Sequence, residues 1–274
     1  MPPRIDPLRA PLPDAERSNG CFETMRAYAG KIFRLDDHLD RLYGSAQFLG
    51  TRAPGSRRGL RDQLTAALKR SGLKEAVVRV ALLPQQGTEA RPSIVVRPAI
   101  HPSAAQYRRG LRVWVVPARK FQVSTIDPRA KYSARLGSVL AVADAQLRGA
   151  DEALFLDSIG GITESTASNI GIIDGGVILT PPCWLGLLAG VTRDVLFELA
   201  GALRAPIREE PLTRHDVYNA DEVFMTSTLK EVIAVTEVDG RRIASGRPGP
   251  LTERLRRAFG ELVRRELSPR GARP

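Results

Sequence analysis

Cysteine and histidine are scarce in this chain. Cys21 and Cys183 are the only two cysteines in 274 residues, and no CxxC spacing joins them. This usage excludes a disulfide framework and is typical of a reducing compartment, so we expect a cytoplasmic protein. The three histidines are scattered without the spacing of metal ligands, and we expect no metal site.

Long apolar runs are also missing. No stretch approaches the roughly 20 apolar residues that a membrane-spanning helix needs, so we expect no membrane association. The first 18 residues carry prolines and charges in place of the apolar core of a signal peptide. GxGxxG and Walker A patterns are absent, and no histidine accompanies a nucleophile elbow, which argues against dinucleotide binding, a P-loop and a Ser-His-Asp hydrolase.

Acidic residues are outnumbered by basic ones. The 41 lysines and arginines against 30 aspartates and glutamates give a net charge of +11 and a pI of about 10.3. That charge is compatible with nucleic-acid binding. However, the arginines spread along the whole chain without a recognition motif, which favours a compositional bias. We expect no nucleic-acid partner, and a basic, non-catalytic binding protein is the alternative from a different class.

Strand and helix patterns mix in both halves of the chain without strict alternation, which predicts two α+β domains. We place a small N-terminal domain at residues 1–117, a linker at 118–128 and a larger domain at 129–274. The predicted strands are Cys21–Tyr28, Ala76–Leu83, Ser93–Pro98, Leu111–Val116, Ala153–Asp157, Asn169–Ile173, Val177–Thr180, Val223–Ser227 and Val232–Val238. The predicted helices run from Asp36 or Asp37 toward Leu49, over Arg57–Ser71, over Tyr132–Arg148, from Gly190 to Leu199 or Leu203, and over Leu251–Leu267.

One lysine stands out by its position. Lys131 lies between the linker and the helix predicted to begin at Tyr132, in which Leu136, Val139 and Leu140 are too apolar for full exposure. Apolar surroundings lower the pKa of a lysine, and a neutral amine is what a Schiff-base lysine needs. A solvated surface charge is the ordinary alternative for any single lysine.

Three further segments carry polar groups suited to a cofactor. Glu164 lies among small hydroxyl residues and Asn169, where a carboxylate could hold a protonated ring nitrogen. Gly190 and Thr192 could begin a helix that favours an anion, with Thr192 as its cap. Arg41 offers a donor fork that suits phosphate. The ordinary alternatives are a polar loop, a common helix start and a surface arginine.

In this order and spacing, the segments resemble the class IV aminotransferases, the fold-type IV pyridoxal-phosphate enzymes. The resemblance runs from Gly20 to Thr252, and it is most specific from Gly149 to Asp157, at Thr163-Glu164 with Ser168-Asn169, and from Gly190 to Arg193. It implies a small N-terminal α/β sandwich and a larger, β-barrel-like C-terminal α+β domain. It also implies pyridoxal 5′-phosphate as cofactor and a homodimer.

The resemblance assigns roles residue by residue. Lys131 would form the Schiff base and move the proton, Glu164 would pair with the pyridine nitrogen, and Leu188 would pack on the ring. The other cofactor contacts that it implies are Arg41, Asn169, Val191, Thr192 and Thr228. The substrate contacts that we assign are Phe22, Arg79 and Leu229.

The substrate side departs from the patterns of the subfamilies. Many branched-chain enzymes have a tyrosine where this chain has Leu136, and D-amino acid enzymes have a tyrosine in place of Phe22 and a basic pair after the strand that ends near Leu83. We expect amino transfer between a hydrophobic or branched-chain L-amino acid and 2-oxoglutarate. The alternatives are aminodeoxychorismate lyase, which eliminates pyruvate, and a D-amino acid transaminase.

Overall fold

The computed structural model describes residues 20–85, 88–120 and 126–268. The chain divides into two compact units. Within the described ranges, the small unit holds residues 20–101, Ala130–Arg135 and 260–268, and the large unit holds residues 102–120, 126–129 and Leu136–Phe259.

The small unit is an antiparallel sheet with two helices. Its strands β1 (Cys21–Tyr28), β2 (Lys31–Ile32), β3 (Ala76–Gln85) and β4 (Thr88–Pro98) pair in the order β2-β1-β3-β4, and its helices are α1 (Leu35–Phe48) and α2 (Arg57–Ser71). The buried leucines of α1 and α2 pack in one core with alternate residues of β1 and β3. This is the α/β sandwich that the resemblance implied.

The large unit is built on a nine-stranded sheet. Its strands are β5 (Leu111–Arg119), β6 (Glu152–Leu156), β7 (Ile162–Ser165), β8 (Asn169–Asp174), β9 (Val177–Thr180), β10 (Ile207–Glu209), β11 (Glu222–Ser227), β12 (Glu231–Val238) and β13 (Arg241–Arg242). They pair in the order β10-β9-β8-β11-β12-β5-β6-β7, and β7 pairs again with β8. That second pairing closes β8, β11, β12, β5, β6 and β7 into a ring, so the β-barrel-like expectation is confirmed.

Alternate residues of several ring strands point into the core of the large unit, as the period of two in a strand requires. Ile170 and Ile172 of β8, for example, join Val223 and Met225 of β11 in that core. The helices are α3 (Ala104–Arg109), α4 (Leu136–Leu147), α5 (Val191–Ala202), α6 (Arg214–Asn219) and α7 (Pro250–Leu267), with a 3₁₀ turn at Cys183–Leu185. None of the helices in the described ranges is long and apolar enough to cross a membrane.

The domain boundaries differ from those predicted. The division falls between His101 and Pro102 and not at residue 117, because β5 pairs with β6 and β12 of the large unit. Ala130–Arg135, which we placed in the larger domain, belongs to the small unit. Most of the predicted linker, residues 121–125, lies outside the described residues.

The helix predicted from Tyr132 begins four residues later, at Leu136, and its apolar residues do not behave as expected. Leu136, Val139 and Leu140 are exposed, whereas Ala141 and Ala145 pack against the sheet. The surroundings that we inferred for Lys131 from this helix were therefore wrong. The elements that were not predicted include α3, β7, β10, α6, β13 and the 3₁₀ turn.

Candidate active site

The predicted site residues divide between the two units. Phe22, Arg41, Arg79 and Lys131 belong to the small unit. Those in the large unit are Glu164, Asn169, Leu188, Val191, Thr192, Thr228 and Leu229.

Lys131 is held by its backbone against β1 and α1 of the small unit. The Lys131 carbonyl accepts a hydrogen bond from the Phe22 N–H at 3.1 Å, and its N–H donates to Ser45 Oγ at 2.9 Å. The next residue, Tyr132, forms a β-bridge with Cys21. These contacts fix the position of the Lys131 backbone, and so of its Cα, although Phe22 and Ser45 lie more than 80 residues away in the sequence.

Three cations surround the aromatic ring of Phe22. Lys131 Nζ lies 5.0 Å from the ring centroid, and the guanidinium carbons of Arg79 and Arg135 lie at 4.2 and 5.7 Å. An aromatic face attracts cations through its quadrupole, so the ring holds these groups together despite their like charge. A cluster of cations attracts carboxylates, and the assignment of Phe22 and Arg79 as substrate contacts stays a prediction.

Arg41 is oriented by a buried carboxylate that we did not single out. Glu23 of β1 is fully buried and accepts from Arg41 Nε at 2.6 Å and Nη2 at 2.8 Å, while His38 Nδ1 lies 2.8 Å from Glu23 Oε2. This bidentate geometry fixes the plane of the guanidinium. The signal in the sequence was a single acid inside an otherwise buried strand, which requires a partner.

The charges of this buried group are well defined. Burial acts to raise the pKa of the Glu23 carboxyl, but the charge and hydrogen bonds of Arg41 outweigh burial and hold that pKa well below its usual range. Burial lowers the pKa of His38, against its hydrogen bond with Glu23. At neutral pH we therefore infer a carboxylate, a guanidinium and a neutral imidazole that donates from Nδ1.

Glu164 lies on β7 of the large unit, buried, with both oxygens occupied. Its Oε2 accepts from the Leu188 N–H at 3.1 Å and from Asn169 Nδ2 at 3.3 Å, and Lys120 Nζ lies 2.6 Å from Oε1. Asn169 Nδ2 also donates to the Leu188 carbonyl at 2.8 Å. Two predicted residues, Glu164 and Asn169, thus hold a third, Leu188, by both of its backbone groups. Lys120 was missed, because its partner is 44 residues away.

At the beginning of α5, the backbone lies very close to the side chain of Asn169. A Cβ on Gly190, the N-cap of α5, would lie 2.0 Å from Asn169 Oδ1, so any other residue there would displace the Asn169 amide. Thr192 is a buried residue within the first turn and does not cap the helix, which corrects the role that we gave it. Among the described residues no side chain caps this helix, and an uncapped N-terminus favours an anion.

Thr228 and Leu229 lie in the turn between β11 and β12, half-buried. The next residue, Lys230, extends its ammonium to Glu152 Oε2 at 2.8 Å. Neither Glu152 nor Lys230 was predicted as a functional residue. The only signal was again a lone acid at the start of a buried strand.

Comparison with known proteins identifies relatives along almost the whole length. The family profile described as "Amino-transferase class IV" matches residues 20–238. The branched-chain-amino-acid aminotransferase of Pseudomonas aeruginosa is 36% identical over 261 residues, which cover 89% of this chain and 84% of that protein. The D-alanine aminotransferase of Listeria monocytogenes is 32% identical over 257 residues, which cover 90% of this chain and 88% of that protein.

Solved structures show the same similarity in three dimensions. The branched-chain aminotransferase of Thermoproteus uzoniensis with norvaline superposes with a TM-score of 0.85 at 30% identity, covering 96% of this chain and 93% of that one. A T.th. branched-chain amino acid aminotransferase complexed with N-(5′-phosphopyridoxyl)-L-glutamate superposes with a TM-score of 0.85 at 29% identity, covering 94% of this chain and 91% of that one.

Proposed function

Because the chain belongs to the class IV aminotransferases, we propose that it moves the amino group of a hydrophobic or branched-chain L-amino acid to 2-oxoglutarate. Transamination with pyridoxal 5′-phosphate is the activity of the family, and this chain is such an enzyme. The identity of the two substrates and the role of each site residue are our proposal. The name of the Pseudomonas relative supports the amino donor, and the glutamate adduct of the T.th. enzyme supports the 2-oxoglutarate pair.

The observation that supports the proposed cofactor site is the arrangement around Glu164. A buried carboxylate, held by Asn169 and the Leu188 N–H, lies in the same unit as the uncapped N-terminus of α5 at Gly190. The carboxylate would pair with a pyridine nitrogen that must stay protonated, once Lys120 leaves its Oε1, and the helix N-terminus fits a phosphate. Val191 and Thr192 would donate backbone N–H groups to that phosphate, and Thr228 would add a hydroxyl.

In the small unit, Lys131 would hold the cofactor and then act as the base. When bound, pyridoxal 5′-phosphate stores the electrons released as the Cα–H bond of the amino acid breaks. Lys131 Nζ would take up the proton from Cα, a contribution of about 10²–10⁴-fold to the rate. Arg41, oriented by Glu23, would bind phosphate, and Arg79 beside Phe22 would bind the substrate carboxylate.

The test combines a spectrum with a donor survey. The purified chain mixed with pyridoxal 5′-phosphate should develop the visible absorption of a lysine-bound cofactor, and L-leucine, L-isoleucine and L-valine should each yield a keto acid when 2-oxoglutarate is present. Lys131→Ala should abolish both signals. Lys69→Ala, a change of an exposed lysine on α2, is the matched control and should alter neither. A chain that retains no visible absorption once unbound cofactor has been removed contradicts the proposal.

A D-amino acid transaminase is the second candidate, supported by the name of the Listeria relative. D-alanine in place of the L-donors separates the two, since one enantiomer should be consumed at least about tenfold faster, a preference that needs only about 1.4 kcal/mol. Pyruvate released from aminodeoxychorismate without any added keto acid would instead indicate the lyase.

We also propose a homodimer. The exposed side chains of Leu136, Val139, Leu140 and Leu147 along α4 form an apolar face, which monomers rarely leave uncovered. Sedimentation equilibrium should give twice the 29.9 kDa chain mass, and Leu140→Asp should shift the mass toward one chain. The cytoplasmic location stays a prediction from cysteine usage.

A further inference from the structure

Glu152 opens strand β6 of the large unit with no exposed surface, and so it must be compensated where it lies. Its Oε1 accepts from the Thr166 hydroxyl at 2.6 Å, and its Oε2 faces Lys230 Nζ at 2.8 Å. An ionised carboxylate without such a partner is strongly disfavoured in a protein interior. The ammonium of Lys230 is therefore confined to this position.

Lys230 also contacts the segment between β7 and β8. Its Nζ lies 3.4 Å from Ser168 Oγ, and Ser168 immediately precedes Asn169. One ammonium thus joins three parts of the large unit: the start of β6, the residue before Asn169, and the turn between β11 and β12 on which Lys230 itself lies.

The backbone of that turn is held as well. The Lys230 N–H donates to Ser227 Oγ at 3.2 Å, and the Lys230 carbonyl accepts from the Tyr107 hydroxyl at 3.0 Å. The following residue, Glu231, has a φ of 54°, a left-handed conformation that a residue with a side chain adopts only when its surroundings impose it. The turn is thus held in a conformation that it would not keep alone.

A turn between two antiparallel strands forms without a lysine that reaches into the interior. The geometry of the turn alone therefore does not explain the ion pair between Lys230 and Glu152. The turn carries Thr228 and Leu229, and the residue next to Ser168 is Asn169, which holds Glu164 and Leu188. The pair between Lys230 and Glu152 therefore adds a buried side-chain contact between the two segments to the backbone pairing of β8 with β11.

We infer that Lys230 is a positioning residue, which through buried Glu152 holds the turn so that Thr228 can bind the cofactor phosphate. This inference rests on the proposed function. We assign Lys230 no direct contact with the phosphate, because two of the three N–H donors of its ammonium are engaged by Glu152 and Ser168.

The test compares two ligands that differ only in the phosphate, pyridoxal 5′-phosphate and pyridoxal. Their dissociation constants are read by absorbance titration of the cofactor-depleted chain. Lys230→Met should raise the dissociation constant of pyridoxal 5′-phosphate about tenfold or more, the size of one lost charge-assisted interaction. It should change the dissociation constant of pyridoxal by less than about twofold. Lys230→Arg, which keeps the charge, should recover most of the loss.

Lys230→Met alone leaves Glu152 buried without its cation, and this variant can fail to fold. The double variant Glu152→Gln with Lys230→Met removes both charges and keeps an acceptor for Thr166, so it should regain the thermal midpoint. Its affinity for pyridoxal 5′-phosphate should nevertheless stay low. Arg109→Met is the matched control, because Arg109 pairs with Asp151, the neighbour of Glu152, at 2.6 Å.

The outcomes separate the readings. If the double variant regains both its midpoint and its affinity for pyridoxal 5′-phosphate, the pair is structural only and the inference is wrong. Equal weakening of both ligands, or the same loss in Arg109→Met, overturns it too. If the unchanged chain itself does not bind pyridoxal 5′-phosphate, the proposed function is wrong. If the unchanged chain binds it and Lys230→Met binds it equally well, only the inference about Lys230 is wrong.

Discussion

Adding a single methyl group at Gly190 should displace Asn169. The added Cβ would lie 2.0 Å from Asn169 Oδ1 and 3.2 Å from its Cγ, and the first distance is one that no packed pair of atoms keeps. Gly190 has a φ of −82° and a ψ of 129°, which alanine adopts without strain. The main effect of Gly190→Ala should therefore come from the collision with Asn169.

The cost can be worked out from the bonds that Asn169 would lose. Its amide donates to the Leu188 carbonyl at 2.8 Å and to the Glu164 carboxylate at 3.3 Å. A neutral hydrogen bond contributes about 1 kcal/mol and one to a charged group about 1.5–3 kcal/mol. We therefore expect Gly190→Ala to lower the free energy of unfolding by about 2.5–4 kcal/mol, and to weaken binding of pyridoxal 5′-phosphate because Leu188 and the start of α5 move.

Urea unfolding followed by circular dichroism measures the first quantity, and an absorbance titration measures the second. The control is the same substitution in an Asn169→Ala background, where the obstacle is gone. There Gly190→Ala should cost less than about 1 kcal/mol, since residues in contact are not additive. A cost that is the same in both backgrounds, or no cost in the unchanged chain, would refute the steric argument.

Three further predictions follow from the charges and the cysteine of the small unit. The pKa of Glu23 is lowered from 4.5 and that of His38 from 6.5, so the unfolded chain binds more protons than the folded chain as the pH falls. The free energy of unfolding should therefore fall as the pH drops below about 6.5, and more steeply below 4.5. In a profile of the urea midpoint against pH, Glu23→Gln should flatten the part below pH 4.5, and an unchanged slope there would contradict the assignment. Burial raises the pKa of Cys21 to about 12, so a thiol reagent at about pH 8 should modify Cys21 only after urea unfolding. The Cys21→Ser variant identifies the signal that comes from Cys183. If Cys21 reacts at the same rate in the folded chain, its thiol is accessible and the prediction is wrong. Arg79→Met should raise KM for the amino acid about tenfold with a smaller change in kcat, and Arg79→Lys should recover part of it, whereas a fall in kcat at constant KM would place Arg79 elsewhere.

Several elements could be located from the sequence because their signals are local. The helix α2 begins after Ser56, whose side chain accepts from the Gly59 N–H, and ends at Gly72 in the left-handed conformation, so a cap and a glycine mark both ends. Strand β9 has the predicted ends as well. Periodicity and end signals act over a few residues, which is why the sequence alone was sufficient here.

Other elements depended on distant partners. Strand β7 (Ile162–Ser165) is short and partly polar, and it is a strand because β6 and β8 pair with it. The helix α4 misled us because its apolar residues were taken as a buried face, while burial in the described chain falls on Ala141 and Ala145. The strand β5 was assigned to the wrong domain, because nothing in its own residues indicates which sheet it joins.

By itself, the sequence determined the class of chemistry. The order of motifs around Lys131, Glu164 and Gly190 indicated the family and its cofactor, since residues that bind one group recur at similar spacing. Only the tertiary structure decided how those residues are held: Arg41 by Glu23, Leu188 by Asn169, and the turn after β11 by a lysine and a glutamate that lie 78 residues apart. The physical reason is that a buried charge can be compensated from anywhere in the chain, so its partner is known only once the chain is folded.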